Sequence, residues 1–189
     1  MAEDQRSMRD RMLAGDPYIA DDPQLAAEST RARQLQHRYN TMDPTDGAAR
    51  RAVLEELLGA FGPGSELRAP FHCDYGYRTT VGARAFANFG LVCLDVATIT
   101  IGDDVQMGPN VQLLTATHPV EPGPRRDKWE SAEPIVLEDN VWLGGGVIVC
   151  PGVTIGANAV VGAGSVVVRD LPADVVAVGN PARVVRSIG

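Results

Sequence analysis

Residues 137–166 read LEDNVW, LGGGVI, VCPGVT, IGANAV, VGAGSV, and Val167 opens the same phrase once more. An aliphatic residue begins every phrase, at Leu137, Leu143, Val149, Ile155, Val161 and Val167. A small or aliphatic residue takes the fifth place, at Val141, Val147, Val153, Ala159 and Ser165, and glycine recurs in the second place at Gly144, Gly156 and Gly162. A six-residue period drifts around the surface of a 3.6-residue helix, so no helical face can hold it. Plain two-residue alternation is compatible with the period but does not explain glycine at a fixed place. Short apolar edges joined by Gly- and Asn-rich corners describe strands stacked turn upon turn in a coil. An antiparallel all-β domain with Gly-rich turns is the competing reading, and five consecutive phrases in one register argue against it.

The totals agree with a narrow coil. At 189 residues the chain is sized for one domain with a small appendage, and its 44% hydrophobic but only 5% aromatic content suits a core of Val, Ile, Leu and Ala. A net charge of −7 gives no electrostatic footprint for nucleic acid. Cys73, Cys93 and Cys150 form no CxxC pair and read as small buried hydrophobes in a reducing compartment. The start, MAEDQRSMRD, is charged and has no apolar run of signal-peptide length, and no stretch approaches the ~18 apolar residues of a membrane span. The expectation is a cytoplasmic protein without a membrane partner.

Residues 1–60 differ in character. Ser7 is placed to cap a short helix ending at Gly15. Leu25, Ala32, Leu35 and Tyr39 share one face of a helix reaching about Asn40. Asp43-Pro44 reads as the start of another, carrying Val53, Leu54, Leu57 and Leu58 up to Gly59. Two such helices cannot bury their faces well against each other, so they should dock on the open end or the side of the coil. A looser set of phrases follows at Val81 and Ala87, slips by two residues around 93–98, and resumes at Ile101, Met107 and Leu113. From about 115 to 134 the repeat stops, and a segment with four prolines must leave the coil as an extended loop.

Several stretches together resemble the maltose and galactoside O-acetyltransferases among the hexapeptide-repeat acyltransferases. They are MLAG (12–15), PYIADD (17–22), RARQLQHRYN (31–40), PFHCDYG (70–76), AFANFGLVCLD (85–95), TATHP (115–119) and GNPA (179–182). The resemblance spans essentially the whole chain. It implies a mainly β fold, a left-handed parallel β-helix over 61–189 with three phrases per triangular turn, preceded by the helical segment 1–60. Its left-handed crossovers would break the usual right-handed rule. It further implies acetyl-CoA as co-substrate without a required metal, a sugar acceptor of the maltose or glucose type modified at a primary hydroxyl, and a homotrimer with active sites between subunits.

The same resemblance assigns roles to individual residues. His118, in TATHP, falls where the family has its catalytic base, and an imidazole titrating near neutrality can take a proton in one step and return it in the next. Asn88, Asp74 and Asp95 match acceptor-contacting positions, while turn residues of a coil are their bland alternative. Gly145 and Ala163 match positions along the pantetheine arm of coenzyme A, with Val168 and Arg169 further along the same groove. Arg183 and Arg186 match positions that meet its phosphates. Val96 stands where the galactoside enzymes tend to carry a second acid, which favours a maltose or glucose acceptor over a galactoside. Another acceptor on the same chemistry, such as a galactoside, oligosaccharide, antibiotic or amine, is the alternative. A zinc site of carbonic-anhydrase type needs three imidazoles, and His37 and His72 lie outside the repeat. Gly144, Gly145 and Gly146 belong to the repeat and lead into no Lys-Ser or Lys-Thr, so no P-loop is read there. Trp142, next to inward Val141, should point out of the coil, towards a subunit contact or an acceptor wall.

Overall fold

The computed structural model describes residues 5–189. Residues 1–4, with which the expected helical segment opens, lie outside the described residues. From Ala60 onward the chain winds into a parallel β-solenoid with three flat faces. The first face stacks Ala60–Phe61, Thr79–Val81, Ile99–Ile101, Ile135–Leu137 and Thr154–Ile155. The second stacks Glu66–Leu67, Phe86–Ala87, Gln106–Met107, Trp142–Leu143, Val160–Val161 and Val175–Val178, and is closed by antiparallel Arg183–Ser187. The third stacks Phe71–Cys73, Leu91–Leu94, Gln112–Leu114, Ile148–Val149 and Val166–Val167.

The first residue of each phrase points inward: Leu137, Leu143, Val149, Ile155 and Val167 are 0% exposed. The fifth-place residues Val141, Val147, Ala159 and Ser165 are equally buried. Each buried aliphatic side chain contributes ~1.5–3 kcal/mol relative to an exposed one, and the regular stacking makes that term repeat with every turn. Ser165 stays in this core because its hydroxyl donates to the Gly162 carbonyl at 2.6 Å and accepts the Gly179 N–H at 3.0 Å. Trp142, in the sixth place, is 55% exposed on the second face, as the alternation requires.

The corner between the first and second faces explains the asparagines and aspartates of the repeat. Asp104, Asn140, Asn158 and Asp174 sit there at positive φ, a conformation their short polar side chains tolerate. The Asn140 amide donates to Asn158 at 2.9 Å, and the Asn158 amide donates to Asp174 at 2.8 Å, a polar ladder down that corner.

The inward frame starts earlier than the sequence reading had it. Phe61, Leu67 and Cys73 already keep the six-residue step and are buried. Two residues are then added before Val81, and two more between Cys93 and Ile101. Both slips fall at the corner between the third and first faces, and so does the break at 115–134.

The helices α1 (Met8–Ala14), α2 (Pro23–Thr41) and α3 (Gly47–Leu57) do two jobs. The face of α2 and α3 carrying Leu35, Tyr39, Val53, Leu54 and Leu57 joins the coil core at its open end, beside Phe61, Leu67 and Phe71. Their polar side chains also occupy the free backbone of the first turn on every face. Arg51 donates to the carbonyls of Phe61 (2.9 Å) and Gly62 (3.2 Å), the Tyr39 hydroxyl donates to Leu67, and Asn40 and Gln36 pair with Phe71 and Cys73. An exposed strand edge invites pairing with another chain, and this one is covered. One expectation is corrected: α3 is capped by Asp46, which accepts the Ala49 N–H at 3.0 Å, and not by Asp43. The Asp43 carboxylate is taken up by the Thr45 N–H and hydroxyl, forming a separate turn before the helix.

Candidate functional site

At the corner between the third and first faces, three successive turns of the coil bulge one above another, at 74–78, 95–98 and 115–134. Their order depends on two buried side chains. The Asp95 carboxylate, 0% exposed, accepts the N–H groups of Asp74 (3.0 Å) and Tyr75 (2.9 Å) on one oxygen and the Thr79 hydroxyl (3.1 Å) on the other. Thr115, also 0% exposed, accepts the Ala97 N–H at 3.0 Å and donates to the Leu94 carbonyl at 2.5 Å. Each bulge is thus tied to the one beside it by side chain to main chain bonds. The expectation that Asp95 contacts an acceptor is corrected accordingly. Both of its oxygens are engaged, and it shapes the bend that presents Asp74.

The segment 115–134 is not an extended loop. Ala116–Thr117 and Trp129–Ala132 form a hairpin around the short helix α4 (Pro122–Arg126), and Tyr18–Ile19 from the amino-terminal segment adds a third antiparallel strand. Beneath this sheet Met12, Tyr18, Leu25, Tyr75 and Val96 form a second core, with Ala116 and Ala132 packed on it. The amino-terminal residues therefore hold the hairpin in place.

His118 follows directly after Ala116–Thr117 and is exposed. Its Nδ1 lies 3.4 Å from the Trp129 carbonyl oxygen. A carbonyl can only accept, so this contact places the proton on Nδ1 and leaves the Nε2 lone pair free to act as a base. Asp74 is half-buried at the same corner. Burial, with the charges of Asp95 and Glu130 nearby, pushes its carboxyl up to about 6. Tyr18 is cross-strand from Glu130 and bonds to its side chain; burial foremost, then that carboxylate, raises the Tyr18 phenol well above its ordinary range. Tyr18, Glu130, Thr79 and Thr115 were not singled out from the sequence. Tyr18 lies within PYIADD, but only the nonlocal pairing with Glu130 brings it to this corner.

The corner between the second and third faces carries Asn88, Gly145 and Ala163. Successive turns are joined there by Asn110 N–H to Phe89 (2.8 Å), Gly146 N–H to Pro109 (2.8 Å) and Gly164 N–H to Gly145 (2.9 Å). A Cβ at Gly144 would lie 2.5 Å from the Ala163 nitrogen, and one at Gly108 would lie 2.5 Å from the Gly145 nitrogen, so the turns stack there only without side chains. The result is an edge of nearly bare backbone. The Asn88 side chain accepts its neighbour Phe89's N–H at 2.9 Å.

The expected residues therefore divide. Asp74, Asp95 and His118 share one corner of the coil; Asn88, Gly145 and Ala163 share another. Val168 and Arg169 follow Val166–Val167 on the third face, so they belong to the His118 corner. Within one chain a whole face separates them from Gly145 and Ala163. Arg183 and Arg186 lie exposed on the closing antiparallel strand, bonding only the carbonyls of Ala182 and Ser187 among the described residues.

Residues 11–62 match the maltose acetyltransferase hexapeptide capping motif, and residues 134–169 match the bacterial transferase hexapeptide of six repeats. Nodulation protein L of Rhizobium leguminosarum bv. viciae is 48% identical over 181 residues, covering 95% of this chain and 94% of that protein. The structure of a maltose O-acetyltransferase from Clostridium difficile 630 superposes with a TM-score of 0.96 at 41% identity, covering 98% of this chain and 100% of that one. A hexapeptide-repeat-containing acetyltransferase of Vibrio cholerae O1 biovar eltor, complexed with acetyl coenzyme A, gives 0.91 at 40% identity, covering 97% and 100%. With its capping helices, its three-faced coil and these likenesses along nearly its whole length, the chain belongs to the maltose and galactoside O-acetyltransferase family of hexapeptide-repeat O-acetyltransferases.

Proposed function

We propose that this protein transfers the acetyl group of acetyl-CoA to a hydroxyl of a maltose- or glucose-type sugar, at a primary hydroxyl, with His118 as general base. The observation that carries the reading is the His118 ring, exposed and held by Nδ1 against the Trp129 carbonyl. Nε2 takes the proton from the acceptor hydroxyl as its oxygen bonds to the thioester carbonyl carbon. The tetrahedral oxyanion then collapses, the C–S bond breaks, and the imidazolium returns the proton to the departing thiolate. General-base assistance of this kind is worth ~10²–10⁴ in rate. No acyl-enzyme is needed, because no serine or cysteine adjoins His118.

The division of the site residues between two corners supports a site completed between copies of the chain in a homotrimer. The Asp74–His118 corner of one subunit, with Val168 and Arg169, would face the Asn88–Gly145–Ala163 corner of the next. Asp74 and Asn88 then bind acceptor hydroxyls from opposite sides. The bare backbone edge at Gly145 and Ala163 admits the thin pantetheine arm, and exposed Arg183 and Arg186 offer donors to its phosphates. Absence of a membrane-crossing helix among the described residues and the reading of the cysteines fit a cytoplasmic enzyme.

Thiol release from acetyl-CoA across glucose, maltose, galactosides and simple amines tests the chemistry. A sugar-dependent signal that falls at least ~10²-fold in His118→Ala is expected; a signal only with amines sinks the acceptor assignment. Co-expression of His118→Ala with Asn88→Ala chains tests the shared site. Random mixing leaves about a quarter of sites with both residues intact, so activity should return to that fraction of wild type. No recovery in mixed assemblies would confine both residues to one subunit's site.

A further inference from the structure

Between the capping helices and the first turn of the coil lies a cleft of about 750 Å³, separate from the His118 corner. That volume is in the range of small-molecule sites. Met42, Leu54, Phe61 and Phe89 supply apolar wall, and Phe89 is 52% exposed. The cleft also holds three guanidinium groups, of Arg50, Arg51 and Arg68, against one lining carboxylate, Glu66. In a chain of net charge −7, this is a local excess of positive charge.

The three arginines are not equivalent. Each lies over an aromatic ring: Arg50 at 4.3 Å from Tyr39, Arg51 at 4.9 Å from Phe61, and Arg68 at 5.0 Å from Phe86. Stacking uses the flat face of a guanidinium and leaves the N–H donors in its plane for other partners. Arg51 spends its donors on Phe61, Gly62 and the Glu55 carboxylate, and Arg68 has Glu66 at 3.2 Å. Arg50 has a 3.3 Å bond to the Tyr39 carbonyl and a side-chain bond to the Tyr39 hydroxyl, which leave part of its five N–H donors unused, and no carboxylate within 4.0 Å among the described residues. It is half-buried, so water hydrates it only in part. A half-buried, ring-stacked guanidinium with donors to spare, facing apolar wall, matches an oxyanion carried on an apolar body.

We propose that this cleft binds a small organic anion, a carboxylate or phosphate monoester on an aromatic or aliphatic body. Arg50 is its main anion contact and Arg68 the second, and Phe89, Phe61 and Met42 cover the apolar part. The inference is independent of the acetyl-transfer reading.

Isothermal titration at low ionic strength with phenyl phosphate, phenylacetate and uncharged benzyl alcohol tests it. Saturable binding of one anion per chain is expected, with little from the alcohol. Arg50→Gln should weaken the anions at least tenfold. Arg68→Gln, at a more exposed position, should weaken them several-fold and guards against a folding defect in the first variant. Preference between the two anions identifies the oxyanion. Absence of saturable binding overturns the proposal. So does binding that both variants retain and acetyl-CoA displaces, which would place the anion at the nucleotide's own site.

Discussion

The main chain of Cys73, on the outermost strand of the third face, is paired by the side chain of Gln36. The carboxamide donates to the Cys73 carbonyl and accepts its N–H, both at 2.9 Å. One helical turn on, Asn40 does the same for Phe71, also at 2.9 Å in each direction. Residues four apart on one face of α2 thus reproduce the two-way bonding of a neighbouring strand, because their spacing along the helix matches two residues of extended chain.

Removing this imitation strand should be costly. Gln36→Leu keeps bulk but strands a buried N–H and a buried carbonyl, at ~1–3 kcal/mol each. Urea unfolding should show a loss of about 2–6 kcal/mol. Gln36→Glu should be destabilised as well, because a carboxylate accepts the Cys73 N–H but repels its carbonyl oxygen. An unchanged midpoint in both variants would show that the pairing contributes nothing to the end cap.

Asp95 separates geometry from charge. In Asp95→Asn the remaining oxygen can still accept from Asp74 and Tyr75, and the new amide can donate to the Thr79 hydroxyl. This variant should stay within about 1 kcal/mol of wild type, whereas Asp95→Ala leaves these donors unsatisfied and should lose ~2–4 kcal/mol. Because the residue positions Asp74, the alanine variant should also raise KM for the acceptor more than it lowers the rate at saturation. Equal effects of both substitutions on stability would refute this ordering role.

Asp74 carries a pH signature. Its carboxyl is raised from 3.8 to about 6 in the folded protein, so the folded state holds its proton over a range where the unfolded state has released it. The contribution is fully present below pH ~4 and is lost as pH rises through ~6, leaving the ionised carboxylate unfavourable above that. Asp74→Asn removes the titration. Its stability relative to wild type should therefore climb between pH 4 and 7 and level off, by on the order of 1–3 kcal/mol once partial exposure is discounted. Thermal unfolding of both proteins across that range checks it; a constant difference would assign no shifted titration to this group.

Two glycines of one phrase should respond differently. A Cβ at Gly144 would meet the Ala163 main-chain nitrogen at 2.5 Å, so Gly144→Ala must push two turns apart. A cost of ~3 kcal/mol or more is expected, in the class of overpacked cores. Gly146, at φ +69 with open space around its would-be Cβ, should cost only ~1–2 kcal/mol as alanine and less as asparagine. Denaturant midpoints that rank the two glycines the other way would refute the stacking argument.

What sequence alone determined about this protein is whatever repeats or is local. The inward residues from Val81 to Val167, outward Trp142, the Ser7 and Gly15 ends of α1 and the buried face of α2 were all legible, because burial follows a fixed period and caps act within one turn. Resemblance supplied candidate site residues one by one, but not their arrangement. Tertiary structure alone decided that Asp95 turns inward, that Tyr18 meets Glu130, and that Gly145 and Arg169 stand at different corners. Each of these depends on how many residues an irregular bend adds and on which distant strand closes over it. A hexapeptide period sets the length of each face, but it cannot say which corner of the triangle absorbs residues that fall outside the count.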